Sequence, residues 1–403
     1  MRKEIPFPVK EELCIFLKDA WEKGWFDDYS DEHFVIKAIE NRLTSFIGKE
    51  QLVENDLNMQ GLIDEDGNVD TEAFNLNFCI NFSRRMQFLV KVFGEDDIKK
   101  FIIDQMSAGK QNYREDAFFE ALSEVSILSF YASINAWEYA IYEPPVAEGR
   151  NNKNPEAKFT GIINCRTNGE CQDDDKMVTI NIEVKSPEFP HDKHTEERIA
   201  IPTMLLTNEG RNEVRKFCEA NDVTYLDPRV LKLKDFLNSA AGKFEIPKEN
   251  EFNLLYINWS YRDFPSNSFL EAWALLTNAI NGVLLYPEYG MNIGVVEEAY
   301  KKITAVVVYT ESLEGLMFSD FRYVWQRCGA GPRFRMWLLD ESLRKREWEN
   351  KSNILLNITG MNPSEELTQM AMLDYKSKTE KEKKEASRFG TELVKLIDEN
   401  AYK

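Results

Sequence analysis

Glu183 and Lys185 stand two residues apart in the stretch Met177-Val-Thr-Ile-Asn-Ile-Glu-Val-Lys-Ser-Pro187. The stretch alternates. On a strand, Ile180, Ile182 and Val184 share one face, and Thr179, Asn181, Glu183 and Lys185 share the other. A carboxylate can hold a divalent cation, and an ammonium beside it can steady a water or a developing negative charge. Glu-x-Lys also fits a solvent-facing ion pair on a half-buried strand. Glu382-Lys383-Lys384 shows the same pattern in a charged tail, where it carries no chemistry.

Two further acids give the pair a context. Glu156 lies in Asn154-Pro155-Glu156-Ala157-Lys158-Phe159, at the start of a second strand-like run. An antiparallel hairpin between Ala157–Asn164 and Val178–Lys185 brings Glu156 beside Glu183. Upstream, a helical stretch over Arg114–Tyr131 carries Phe118, Leu122, Val125 and Leu128 as its apolar stripe. Glu120 and Glu124 are one turn apart on it, a mildly repulsive spacing that a bound cation or a nearby lysine would relieve.

A helix with a glutamate, a strand, Pro155-Glu156, and then Glu183-Val184-Lys185 together resemble the pattern of the PD-(D/E)xK nuclease superfamily. The resemblance covers residues 112–260 and lies in the order and spacing of the motifs. It implies a mixed-sheet, restriction-endonuclease-like α/β core and metal-dependent hydrolysis of phosphodiester bonds, with DNA ahead of RNA as substrate. It implies that Glu124 (Glu120 as second choice), Glu156 and Glu183 hold Mg²⁺ or Mn²⁺. Lys185 would position the attacking water or stabilise charge on the phosphate. Glu156 stands where the family usually has aspartate, and the extra methylene shifts its carboxylate by about an angstrom. The alternative is therefore a catalytically silent version of the fold, acting as a nucleic-acid-binding or assembly module.

The elements that must position these residues follow from periodicity. Residues 1–108 read as a helical N-terminal domain, with helical runs through Leu13–Trp25, Phe34–Phe46 and Phe74–Phe93. Residues 109–310 read as the mixed α/β core. Its strands are expected at Trp137–Glu143, Ala157–Asn164, Val178–Lys185, Phe252–Trp259 and Ile303–Tyr309. Its later helices are expected at Glu209–Asn221, Val230–Ala241 and Phe269–Ile280. Residues 311–403 read as a helical, partly basic extension. Asp64–Asp70 has calcium-loop composition, but Gly67 comes too early for an EF-hand, so a plain turn is the reading.

The chain has 403 residues, with 50 Lys plus Arg against 69 Asp plus Glu and a net charge of −19. That excludes a simple basic nucleic-acid coat protein and leaves room for an enzyme with one basic groove. The basic, aromatic segment Phe321–Glu347 is the candidate groove. Its Arg322, Arg327, Arg333 and Arg335 are the candidate nucleic-acid contacts. An amphipathic helix pair with a solvated basic face is the alternative there. No apolar run approaches the ~20 residues of a membrane helix. No signal-peptide core opens the sequence, so a cytoplasmic protein with reduced cysteines is expected. A homo-oligomer is left open. Cys165, Cys171, His191 and His194 are a zinc set by residue type. Their spacings are longer between the cysteines and shorter between the histidines than structural zinc sites use, so a structural zinc is not expected.

Overall fold

Strand β3 (Asp175–Lys185) realises the alternation: Val178, Ile180, Ile182 and Val184 are buried on one face, and Asn181, Glu183 and Lys185 share the other. The computed structural model of the chain describes residues 14–43, 71–145, 154–164, 175–186, 230–259, 283, 287–309 and 335–338, with a few positions in 212–220 and 275–276. Within these residues β3 is an interior strand of a six-stranded mixed sheet. The strand order is β1 (Trp137–Tyr142), β2 (Ala157–Asn164), β3, β4 (Glu251–Asn258), β5 (Ala305–Tyr309) and β6 (Arg335–Leu338). The first three strands form an antiparallel meander; β3, β4 and β5 run parallel; β6 returns antiparallel to β5. β5 is buried throughout and β4 at all but its first residue, as expected of parallel strands covered on both faces.

Helices cover both faces. On one side lie α1 (Ile15–Glu22), α2 (Phe34–Ile39), α3 (Thr71–Phe93), α4 (Glu95–Phe101) and α5 (Glu115–Ser133). One hydrophobic cluster runs from α1 through Phe78, Met86 and Leu122 to Ile180, Leu254 and Val307, so it crosses the boundary drawn near residue 108. Each fully buried side chain of this size contributes roughly 1.5–3 kcal/mol. Two polar links fix α5 against β4. Asn258 Nδ2 donates to Ser123 Oγ at 3.1 Å, and the hydroxyls of Tyr131 and Tyr256 meet at 2.6 Å.

On the other face, α6 (Val230–Lys243) buries Leu233, Phe236, Leu237, Ala240 and Ala241, a helical spacing, against Leu255, Ile257, Val306 and Val308. Two short helices follow, α7 (Pro287–Asn292) and α8 (Glu297–Lys302). The buried Lys302 donates from Nζ to the Ala241 carbonyl at 3.0 Å, a cation on the C-terminal turn of α6. This packing fixes where α6 ends, and Lys243 is its last residue.

The mixed α/β class, the meander and the later strands agree with the sequence reading. β6 does not: Arg335–Leu338 joins the sheet in a segment expected to be helical extension, because four residues are too few to show a period. The expected helices over 209–221 and 269–280 are described only at a few positions. The turn at Asp64–Asp70 and the tail Ser364–Lys403 lie outside the described residues.

Candidate active site

The register of the meander sets the site. Ala157 pairs with Ile182, and the Glu156 N–H donates to the Ile182 carbonyl at 2.9 Å. The next position outward places Glu156 beside Glu183, as the hairpin reading requires. Both lie at the end of the sheet where the parallel strands β3 and β4 finish, the usual location of sites in such sheets. α5 crosses the same end on the opposite face and brings Glu124.

The contacts among these groups are short. Lys185 Nζ is 2.7 Å from Glu183 Oε1 and 3.6 Å from Glu156 Oε1. A second ammonium, from Lys243, is 2.7 Å from the same Glu183 oxygen and 3.0 Å from the same Glu156 oxygen. The Glu183 side chain is 0% exposed and those of Lys185 and Lys243 are 16% and 14% exposed. The solvent-facing ion pair considered for Glu183 and Lys185 is therefore not what forms. The contacts to Glu183 Oε1 are ion pairs rather than aligned hydrogen bonds, and Glu183 Oε2 is buried with no hydrogen-bond partner among the described residues.

A cleft of about 470 Å³ opens beside this cluster, lined among others by Gln105, Glu120, Glu124, Glu156, Lys185 and Lys243. Both candidate helix acids therefore face it. Glu124 is buried, and Glu120, one turn earlier, is exposed. Tyr142, the last residue of β1, donates from its hydroxyl to Glu124 Oε1 at 3.2 Å, and Gln105 Nε2 donates to Tyr142 Oη at 3.1 Å. Gln105 belongs to a π-helical turn, Ile102–Met106, that continues α4. Such turns re-aim side chains and recur at functional sites. The neighbouring Glu143 has φ 44°, a left-handed conformation unusual for a glutamate, and its Oε1 accepts from Gln105 at 3.2 Å.

Burial dominates the electrostatics. It drives the Glu124 carboxyl well above its ordinary range, aided by the charge of Glu156 and opposed by the Tyr142 hydrogen bond. It pushes Glu183 up to about 7, again with Glu156, against the pull of Lys185 and Lys243. Burial lowers Lys185, but the charges of Glu183 and Glu156 outweigh it and hold the ammonium above its usual value. The cluster is thus one cation-balanced set in which Glu124 is the acid that keeps its proton most readily.

The donor atoms are of the type a hard divalent cation takes. The donors are carboxylate oxygens, and one of them is buried and unbonded. Among the described residues no three carboxylate, imidazole or thiol groups stand as a ready ligand set. The two ammoniums lie between the acids instead.

The structure brings Glu124, Glu156, Glu183 and Lys185, the residues named from sequence, to one place and adds Lys243, Tyr142 and Gln105, which the sequence did not single out. Lys243 sits just past the apolar stripe of its helix, where a lysine is an ordinary terminal residue. Tyr142 reads as one more aromatic in a strand. Arg322, Arg327 and Arg333, and the zinc candidates Cys165, Cys171, His191 and His194, lie outside the described residues. Arg335 opens β6. No helix among the described residues is long and apolar enough to cross a membrane. No family model, no curated protein and no solved structure matches the chain.

Proposed function

We propose that this chain is a Mg²⁺- or Mn²⁺-dependent nuclease hydrolysing phosphodiester bonds, with DNA as the first substrate to test. One observation carries the reading: Glu183, fully buried with an unbonded carboxylate oxygen, shares two lysine ammoniums with Glu156, the residue just before β2, and one of these lysines is two residues on, beside a cleft that Glu156, Lys185 and the helix acid Glu124 line. A buried carboxylate without its full complement of partners costs several kcal/mol and calls for a compensating role.

Glu183, Glu156 and Glu124 would hold the cation, which when bound supplies an activated water at neutral pH and polarises a phosphoryl oxygen. Lys185 is kept charged by the acids beside it, so it can orient the attacking water or balance charge that builds on the phosphate. Tyr142 fixes the Glu124 carboxyl from behind. Lys185 and Lys243 place two ammoniums at the cleft, where they face Glu120, Glu124, Glu143 and Glu156.

Two observations favour the second reading, a silent nuclease-like module. Two ammoniums already balance Glu156 and Glu183, and a glutamate replaces the family's usual aspartate at Glu156. Supercoiled plasmid and single-stranded DNA, incubated with the protein and Mg²⁺ or Mn²⁺, separate the two readings. Cleavage that stops in chelator is expected. A wild-type protein that binds neither cation by calorimetry and cleaves neither substrate belongs to the silent class. Cleavage undiminished by chelator refutes the assignment of the acids.

A further inference from the structure

Lys243 is the residue at this site with no place in the motif. It comes from α6, on the opposite face of the sheet from the helix that supplies Glu124. Its Nζ contacts the same two oxygens as Lys185 Nζ: Glu183 Oε1 at 2.7 Å and Glu156 Oε1 at 3.0 Å. Two ammoniums against two carboxylates leave this part of the site neutral. A dication added to both ammoniums would bring four positive charges against three acids at most, in surroundings where such an imbalance is costly. One ammonium has to leave.

The backbone decides which. Lys185 lies on β3, in register with Ile257 of β4, and is tied to Glu183 across a single strand repeat. Lys243 reaches in from the last position of a helix on four rotatable carbons, and it lines the cleft. Its stem can swing toward the cleft without disturbing the sheet.

We infer that Lys243 is a resident counter-cation: in the metal-free protein its ammonium holds the Glu156 and Glu183 oxygens that a divalent cation needs, and it gives them up to the cleft when the cation enters. The inference rests on the metal-dependent reading above. It assigns Lys243 a gating role in occupancy of the site and places its ammonium afterwards on the substrate side. The free carboxylate oxygen of Glu183, buried beside this pair, is the second sign that the site is built for something other than two lysines.

The test compares wild type, Lys243→Met and Lys243→Gln in Mn²⁺ titrations by calorimetry. In parallel, lysine acetylation of the wild-type protein is mapped by mass spectrometry with and without Mn²⁺. Loss of the competing ammonium should tighten Mn²⁺ binding by about tenfold, the factor that ~1.4 kcal/mol of lost competition gives. In the wild type, Mn²⁺ should raise acetylation at Lys243 several-fold relative to the exposed Lys301. The acetylation arm needs no variant, so it decides the matter even if both substitutions impair folding. Mn²⁺ binding by Lys243→Met but not by wild type overturns it, because the native ammonium then never yields to the cation. Wild type that binds Mn²⁺ while the variants bind it equally or more weakly, with Lys243 acetylation unchanged, overturns the gating role and leaves the nuclease reading standing. If no form of the protein binds Mn²⁺, both fall.

Discussion

Replacing Lys185 by methionine separates what the fold needs from what the chemistry needs. The substitution keeps the length of the side chain and removes its charge. In the structure Lys185 is one of two ammoniums at 2.7 Å from Glu183 Oε1, and that carboxylate has no exposure to water. Breaking a buried pair outright costs about 3–5 kcal/mol, because the stranded charge has no compensation. Here Lys243 stays in contact, so the loss should be roughly half that, about 2 kcal/mol. This is more than the ~1 kcal/mol of an exposed pair. For a chain of this size the change corresponds to a melting temperature lower by about 2–4 °C. Mn²⁺ binding should survive, since the carboxylates remain and a repelling charge is gone. Cleavage should fall by at least ~10²-fold if the ammonium acts on water or on the phosphate. Differential scanning calorimetry, Mn²⁺ titration and plasmid turnover measure the three quantities on one preparation. A Lys185→Met protein that cleaves like wild type removes the lysine from the mechanism. One that melts like wild type shows that the ion pair to Glu183 contributes nothing, and the charge-balance argument for the cluster then fails.

Three further outcomes follow from particular contacts. Tyr142→Phe removes the hydroxyl that holds Glu124 at 3.2 Å; loss of such an outer partner typically weakens metal binding or turnover by about 10–100-fold, readable by Mn²⁺ titration, and unchanged binding would exclude Glu124 as a ligand. His33 caps α2 by accepting the Val35 N–H at Nδ1, which leaves Nε2 protonated to donate to the Met106 carbonyl at 2.9 Å; His33→Ala should therefore cost about 2 kcal/mol in urea unfolding, through the cap and the tie to the turn that carries Gln105. Cation affinity should fall as pH drops through about 7, because Glu124 and Glu183, both held above the ordinary carboxylate range by burial, take up the protons that ligation must displace; a flat affinity from neutral to mildly acidic pH would show that neither is a ligand.

How far the sequence carries can be traced residue by residue. Two-residue periodicity in Val178–Lys185 fixes which side chains share a face, and it places Glu183 and Lys185 together. It cannot say whether that face meets water. α6 covers that face, and the segment linking β3 to α6 carries no signal of its destination. A half-buried strand with an exposed pair and a fully covered strand with an internal charge cluster look alike in sequence. The hairpin was legible because two strand-like runs, Ala157–Asn164 and Val178–Lys185, follow each other, with Glu156 just before the start of one and Glu183 near the end of the other; matching their ends would pair Ala157 with Lys185, and the register that forms pairs it with Ile182. β6 was not, since four residues show no period. The π-helical turn at Ile102–Met106 was not, since it continues an ordinary helix.

The hidden member of the site, Lys243, shows why local pattern stops short of chemistry. Its position is set by packing far from itself. Leu233, Phe236, Leu237 and Ala240 seat α6 on β4 and β5, Lys302 caps the Ala241 carbonyl, and only then does the next turn end beside Glu183. Nothing in the identity of a lysine at a helix terminus announces a partner on a strand whose Glu183 lies 60 positions earlier in the sequence. The motif residues Glu183 and Lys185 are near neighbours in the chain, so a resemblance can find them. The charge that balances them arrives by tertiary structure alone. A motif match therefore bears on which acids could ligate, while the occupancy of the site depends on Lys243. If that ammonium is what keeps the metal-free cluster neutral, Lys243→Met should lose stability without Mn²⁺ and regain more of it on adding Mn²⁺ than wild type does. Equal gains in the two proteins would show that the ammonium does not compete for those oxygens.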